Sequence, residues 1–185
     1  MVADRSSLPH RRRGRRAIAL LLAVGCAIGP VAAQAPSNEA EAMVRFTLTL
    51  ARFVHWPAEG AAAGTPMRLC LLHNSPAVEA AFASRKGTAV TGRPLEVLSG
   101  AAVGGAACDL LFVDASAGSS GMEALASTAP VLTIGSADGF LSRGGMVELV
   151  NVNDALRFDV NLKPLRSARL GLSAQALKLA RRVQE

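Results

Sequence analysis

The sequence predicts an α/β protein: a three-layer sandwich with a mostly parallel sheet, an antiparallel hairpin at one edge of that sheet, and helices at both termini. Apolar segments of strand length alternate with segments of helical period, and this alternation favours parallel strands joined by helices. Residues 109–114 hold an unbroken apolar run, which is typical of a strand covered on both faces. Residues 146–150 and 156–161 flank the polar turn 151–154 and predict the hairpin.

The first 33 residues have the pattern of a cleaved secretory signal peptide. A cluster of arginines precedes an apolar run, residues 17–28, that is much shorter than a membrane span. Small residues at positions 31–33 then provide a cleavage site. We therefore expect a signal peptide over residues 1–33 and a single domain, without a membrane span, over residues 34–185.

Three features of this segment leave details of export open. Cleavage after Ala35 also satisfies the small-residue rule, but it would place Pro36 directly after the cut bond. Arg15 and Arg16 faintly resemble a twin-arginine signal, and Cys26 faintly resembles the cysteine of a lipoprotein box. The sequence thus predicts delivery to the periplasm without deciding the route or the lipidation of Cys26.

The charge of the mature domain argues against nucleic acid as a partner. The chain has 20 Lys and Arg against 14 Asp and Glu, but six of these basic residues and one acidic residue lie in residues 1–33. The remaining 14 basic and 13 acidic residues are nearly balanced. A basic field of the kind that nucleic-acid binding requires is therefore not expected.

A first amphipathic helix is predicted near the start of the mature domain. Asn38 is a plausible N-cap with Glu41 three residues later, which is the spacing of a capping box. Apolar residues then recur at helical spacing up to Pro57, namely Met43, Phe46, Leu50, Phe53 and Val54. Trp56 either fills part of the core at the helix end or, with Phe53, forms an exposed aromatic surface that binds a partner. His55 is expected to be solvated.

The remaining elements follow in alternation. Strands are predicted at residues 67–72, 95–98 and 131–134, with a short helix that Ser75 and Pro76 begin and a weaker helix over residues 121–127. Ser173 is expected to cap a closing helix that carries Ala176, Leu177, Leu179, Ala180 and Val183.

Two cysteines remain in the mature domain, Cys70 and Cys108. An oxidising periplasm favours a disulfide between them, and two separate buried thiols are the alternative. A metal site is not expected, because these cysteines together with His55 and His73 lack the close pairs that zinc binding favours.

Catalytic motifs are lacking in the sequence. Ser142, His55, His73 and Asp138 stand in no nucleophile elbow or triad motif, and neither a dinucleotide-binding nor a phosphate-binding glycine loop occurs. We therefore expect no catalytic residues and no cofactor, and we interpret the chain as a binding protein.

The segment 138–146 is the strongest candidate for a binding surface. It carries Arg143 followed by Gly144 and Gly145, just before a predicted strand. Paired glycines allow a backbone with positive φ or a close approach to another group. The segment is therefore either an ordinary tight turn with a solvated arginine or a constrained recognition loop.

A series of short motifs runs in order through the mature domain. They are Phe53-Val54-x-Trp56-Pro57, residues 68–72, Gly92-Arg93-Pro94-Leu95, residues 108–113, residues 130–134, Phe140-x-x-x-Gly144-Gly145-Met146, Phe158-x-x-Asn161, and Leu170-x-Leu172-Ser173 followed by Leu177-x-Leu179-Ala180. Together they resemble the YfiR-like (YfiR/HmsC) family of periplasmic proteins.

This resemblance implies an exported α/β sandwich that acts by binding. Such proteins inhibit an inner-membrane diguanylate cyclase through its periplasmic part, which implies a role here in cyclic di-GMP signalling and biofilm control. The resemblance is also compatible with a different receptor as the partner and with a homodimer. The cysteine pair of the family maps onto Cys70 and Cys108, but an additional disulfide of the family has no counterpart, so this pair is expected to be structural and not a redox sensor. Leu165 and Arg169 also depart from the family pattern.

The resemblance and the segment 138–146 suggest the same surface. Because Arg143 lies beside the predicted hairpin and Asn161 ends its second strand, both are expected to face one groove or partner. The expected binding residues are Arg143, Gly144, Gly145, Asn161, Phe53 and Trp56. A periplasmic small-ligand-binding protein without a cyclase partner is the alternative function, which a closed apolar pocket with convergent polar groups would favour.

Overall fold

A sheet of eight strands runs through the centre of the protein. The computed structural model describes residues 37–57, 64–103, 107–118 and 129–185. Its strands are β1 (Val54–His55), β2 (Met67–Leu72), β3 (Ala89–Val90), β4 (Arg93–Ser99), β5 (Leu110–Val113), β6 (Leu132–Gly135), β7 (Val147–Val152), β8 (Ala155–Asn161), β9 (Gly171–Leu172) and β10 (Arg182–Gln184). Its α-helices are α1 (Asn38–Arg52), α2 (Pro76–Ala83), α3 (Leu162–Ser167) and α4 (Ala174–Leu179).

The topology of the sheet is mostly parallel. The strand order is β10-β8-β7-β6-β5-β2-β4-β3. The pairs from β4 through β2, β5 and β6 to β7 are all parallel, as is the pair of β10 with β8. Among the described strands of this sheet, the hairpins β7–β8 and β3–β4 are the antiparallel pairs, and β1 and β9 form a separate antiparallel sheet of two strands. The predicted fold class is thus confirmed, although β10 places the β7–β8 hairpin one strand inside the edge.

Both faces of the central strands are buried, as the apolar run in β5 predicts. Phe112 belongs to the larger core, and its ring centroid lies 4.7 Å from that of Phe82 in α2. Val113, the next residue, belongs to a smaller cluster on the other face together with Cys70 and Phe140. Because side chains alternate between the faces of a strand, β5 contributes to both cores.

The first helix begins one residue earlier than predicted. Ser37, not Asn38, is the N-cap, and its hydroxyl accepts a hydrogen bond of 3.1 Å from the N–H of Ala40. A capping box is therefore not formed, because the third helical residue is Ala40. Glu41 instead makes an ion pair of 2.6 Å with Arg85, which follows α2. The prediction of Asn38 as N-cap was wrong because serine occupies the adjacent position with equal capping ability.

The C-terminal end of α1 continues directly into the small sheet. Phe53 caps the helix with its backbone, and its carbonyl accepts a bond of 2.9 Å from the N–H of Ser173. Trp56 is half-buried against the larger core, and its indole N–H lies 3.4 Å from the carbonyl oxygen of Ala51. His55 is exposed, as expected.

The hairpin is tighter than the predicted four-residue turn. Its strands extend to Val152 and resume at Ala155, so Asn153 and Asp154 alone form the turn, with φ of 50° and 60°. Asn and Asp tolerate this left-handed conformation, and such two-residue turns match the twist of the flanking strands.

The closing helix is shorter than predicted. Ser173 caps it as expected, but it ends at Leu179, and Val183 lies in β10. Leu179 is 72% exposed and Val183 is 40% exposed, so neither fills the core. The N–H of Arg181 donates to the carbonyl of Phe158 at 2.9 Å, and this bond directs the chain into the sheet.

Two predictions fall outside the described residues: the signal peptide over 1–33 and the weak helix over 121–127. Among the helices that the structure does describe, none has the length and apolar character needed to cross a membrane.

Candidate functional site

The loop 138–146 has a defined backbone shape. Leu141–Arg143 form a single turn of 3-10 helix, which Gly144 ends with a φ of 97°. The N–H of Gly144 donates to the carbonyl of Leu141 at 3.1 Å, and that of Gly145 donates to the carbonyl of Phe140 at 3.0 Å. A residue with a side chain would be strained at Gly144, because this φ lies in the left-handed region.

Gly145 is required for a different reason, the packing of Phe140. The Phe140 ring is fully buried between Gly135 and Gly145. A Cβ atom at Gly145 would lie 2.1 Å from this ring, and one at Gly135 would lie 2.5 Å from it. Close approach between backbone and ring thus explains the second glycine of the pair without any external ligand.

The loop is anchored to both strands of the hairpin. Glu148 of β7 accepts hydrogen bonds from the N–H groups of Gly139 at 3.1 Å and Leu141 at 3.0 Å. The side-chain amide of Asn161, at the end of β8, donates to the carbonyl of Leu141 at 3.3 Å. Its oxygen also accepts from the N–H of Lys163 at 3.2 Å and so caps α3. The structure therefore brings Asn161 against the loop that carries Arg143.

Two acidic side chains and one arginine support the base of this loop. Glu148 and Asp159 are direct cross-strand neighbours in the hairpin. Asp159 is buried, and its carboxylate accepts two hydrogen bonds from the guanidinium of Arg181, one of them 2.9 Å long. The hydrogen bond to Asp159 raises the pKa of Arg181 above its ordinary value, with a smaller contribution from the charge of Glu148. Arg181 thus offsets the repulsion between the two carboxylates.

Arg143 itself is exposed on the outer side of the loop. One of its guanidinium nitrogens donates to the carbonyl of Asp138, which closes the loop on itself. Within the described residues this is the only hydrogen bond of its side chain, so most of the five N–H donors of the guanidinium remain available. Arginine in this setting is suited to a carboxylate or carbonyl group of a partner.

Phe53 and Trp56 form a second surface. Their described contacts are with α1, with the larger core and with the segment that contains β9. None of these contacts joins them to the loop 138–146. The structure therefore divides the predicted binding residues into a loop surface (Arg143, Gly144 and Asn161, with Gly145 buried beneath it) and a helix-end surface (Phe53 and Trp56).

Sequence reasoning missed Glu148, Asp159 and Arg181. Each of the two acids lies between two apolar residues of its strand, and this pattern signals a buried or half-buried carboxylate that needs a partner. The identity of that partner was not accessible, because Arg181 lies more than 20 residues from Asp159 and was predicted to be helical.

A separate polar cluster lies at the carboxyl ends of β2, β5 and β6, where α/β sheets often hold ligands. The backbone N–H of Asn74 donates to the hydroxyl of Ser116 at 2.9 Å, and its side chain donates to the carbonyl of Ser116 at 2.8 Å. Asp114 accepts from Ser136 at 3.1 Å and from the backbone of Ser116 at 3.0 Å. These groups satisfy one another, so the cluster joins the three loops that follow these strands.

Metal binding finds no support in the described parts of the chain, where no three His, Cys, Asp or Glu side chains are grouped to hold an ion. The two cysteines are instead joined, Cys70 of β2 to Cys108 before β5, so the predicted disulfide is present.

Comparison with known proteins identifies one family. The model of a family described as YfiR/HmsC-like matches residues 40–181, which include every strand and helix described above except the first residues of α1 and all of β10. A search of curated proteins finds no match.

Proposed function

Because the chain belongs to the YfiR/HmsC-like family, we propose that it is an exported regulatory protein that inhibits a membrane-bound diguanylate cyclase from the periplasm. The family match over residues 40–181 is the observation that carries this proposal, since the family is known for periplasmic regulation of such cyclases. The chain would act by binding the periplasmic part of its partner, and cyclic di-GMP would rise on release.

The loop surface is the contact that we assign to the partner. Its shape is held by Phe140, Glu148 and Asn161, so binding would require little ordering of the backbone. Arg143 is exposed there, and arginine is enriched among the residues that dominate interface energies. A loop that is already ordered and carries an exposed arginine supports recognition of a protein surface.

Deletion of the gene tests the proposal. We expect cyclic di-GMP and surface attachment to rise in the deletion strain and to return to normal when the partner cyclase is also removed. Unchanged cyclic di-GMP, in ordinary growth and under envelope stress, would contradict inhibition of a cyclase and favour the small-ligand alternative.

Substitution of Arg143 tests the surface. Arg143→Ala is expected to reproduce part of the deletion, while the free energy of unfolding changes by less than about 0.5 kcal/mol because the side chain is exposed. Arg45→Ala, an exposed arginine on α1, is the matched control and should leave cyclic di-GMP unchanged. Equal effects of the two substitutions would remove the loop from the interface.

The proposal also requires export with cleavage of residues 1–33. Mass spectrometry of periplasmic extracts should find a mature protein that begins near Gln34. Recovery of an intact Met1, or of a lipid on Cys26, would show that the segment anchors or retains the protein instead.

A further inference from the structure

An open groove runs along the outer side of β4, away from the loop 138–146. Its volume is about 440 Å³, which is within the range of protein sites that bind small molecules or side chains. Most of its lining is apolar, and its principal residues are Pro66, Lys86, Pro94, Glu96, Val97 and Leu98.

The floor of this groove is the part of β4 beyond Pro94, where no strand of the described residues pairs with the outer side. β3 pairs only with Arg93 and Pro94, at the beginning of β4. The backbone of Leu95 still finds partners on this side, since its N–H donates to Thr88 at 2.9 Å and its carbonyl accepts from Gly87 at 2.8 Å. The backbone N–H and carbonyl groups of successive residues in a strand point to opposite sides. Those of Val97, two residues after Leu95, therefore point outward as well. Within the described residues no strand reaches Val97.

Unpaired backbone groups at the floor of a groove attract a hydrogen-bonding partner. Backbone N–H and carbonyl groups are nearly always paired in folded proteins, with other backbone groups, side chains or water. A strand edge of this kind is a template for the addition of an extended chain, whose own N–H and carbonyl groups have the matching spacing. The apolar lining adds sites for alternate side chains of such a chain.

The charge in the groove further restricts the occupant. Glu96 is already paired with Arg68 at 3.1 Å. Lys86 is exposed and forms no ion pair with the described residues. The charge that remains available is therefore positive, and it complements an acidic side chain.

We propose that the open edge of β4 binds an extended peptide segment of a partner protein. The segment adds to the sheet through hydrogen bonds with Val97, places an apolar side chain against Pro94 and Leu98, and directs an acidic side chain toward Lys86. This surface is distinct from the loop surface, and its occupation does not depend on inhibition of a cyclase.

Selection from a phage-displayed library of random octapeptides, with the exported protein as bait, tests the proposal. Selected peptides should alternate apolar residues with others, contain an acidic residue and lack proline. One synthetic representative, added to the protein, should slow hydrogen exchange at the amide of Val97. Failure to enrich any peptide, or binding that leaves this amide unprotected, would overturn the proposal.

Two variants locate the binding site of that synthetic peptide. Val97→Pro removes the outward N–H without removing a bond to β2, and it should weaken binding at least about tenfold in titration calorimetry. Lys86→Glu reverses an exposed charge, leaves β4 unchanged and should weaken binding several-fold, with the effect reduced by salt. Arg45→Ala serves as the control. Unchanged affinity in Lys86→Glu, together with unchanged affinity in a folded Val97→Pro, would exclude this edge.

Discussion

At the scale of single residues, Phe140 determines the shape of the candidate interaction surface. Its buried ring fills the space that side chains at Gly135 and Gly145 would occupy. Gly144, in contrast, has open space around its Cα and is needed only for its φ of 97°. The two glycines of the pair therefore serve different physical requirements, one steric and one conformational.

This difference predicts unequal effects of substitution. Gly145→Ala should lower the free energy of unfolding by about 1–3 kcal/mol, because its methyl group overlaps the Phe140 ring. Gly144→Asn should cost less than about 1 kcal/mol, because asparagine tolerates the left-handed conformation and meets no neighbour. Urea unfolding measures both. A larger loss in Gly144→Asn than in Gly145→Ala would mean that the ring does not pack as described.

At the scale of secondary-structure elements, single hydrogen bonds decide where helices and strands begin and end. The bond from Ala40 to Ser37 places the N-cap of α1 one residue before the predicted cap. At the other end of the chain, the pair between Arg181 and Asp159 holds β10 beside β8. Helix propensity favoured continuation of α4 through Val183. However, leaving the buried carboxylate of Asp159 without a partner would cost more free energy than the loss of one helical turn.

Substitutions at the start of α1 test the corrected cap. Ser37→Ala should lower the free energy of unfolding by about 1 kcal/mol, because the N–H of Ala40 loses its acceptor. Asn38→Ala, at the first helical position, should have little effect or stabilise slightly. Thermal unfolding of the two variants distinguishes the positions. The opposite order of stabilities would restore Asn38 as the cap.

Removal of Arg181 should release the last strand. Arg181→Ala leaves the buried Asp159 without its two hydrogen bonds, so the melting temperature should fall and amides of β10 should exchange faster. Arg182→Ala, at an exposed neighbouring arginine, is the matched control. Equal exchange rates in the two variants would mean that strand pairing alone holds β10.

The pH dependence of this pair follows from the direction of the shift. Since the hydrogen bond to Asp159 raises the pKa of Arg181, the arginine contributes to stability at every pH below its ordinary pKa. That contribution is lost only as the pH rises through the raised value, well above neutrality. Arg181 is therefore not expected to make stability vary between about pH 6 and about pH 9.

At the scale of the whole molecule, the disulfide connects two central parts of the sheet. Cys70 lies in β2 and is fully buried, and Cys108 precedes β5, the strand beside it. Both belong to or pack against the smaller core cluster that also contains Phe140. The bond thus stabilises the face of the sheet from which the loop 138–146 arises.

Loss of this bond should be costly in stability. The cysteines are 38 residues apart, and closing a loop of that length corresponds to roughly 4 kcal/mol in the chain-entropy model. Cys70→Ser should lower the melting temperature about as much as reduction of the wild-type protein does, and it should leave regulation unchanged in folded protein. A free-thiol assay on denatured, unreduced protein should detect no thiols, and two thiols would contradict the bond.

The sequence by itself determined the class of fold and the position of most strands. β2 lies at the residues predicted, and Ser75 with Pro76 begins α2, because apolar period and capping are local properties of the chain. The family was also recognisable from short motifs in order. The pairing of Cys70 with Cys108 could be predicted because only these two cysteines lie outside the predicted signal peptide.

Only the tertiary structure decided which distant groups meet. Three contacts join separate segments of the chain: Glu148 with the loop backbone, Arg181 with Asp159, and Phe140 with the two glycines that flank its ring. Likewise, the open edge of β4 exists because β3 ends its pairing after two residues, which depends on how the chain returns from α2. Such contacts depend on relative placement in three dimensions, which hydrophobic period and capping signals do not encode.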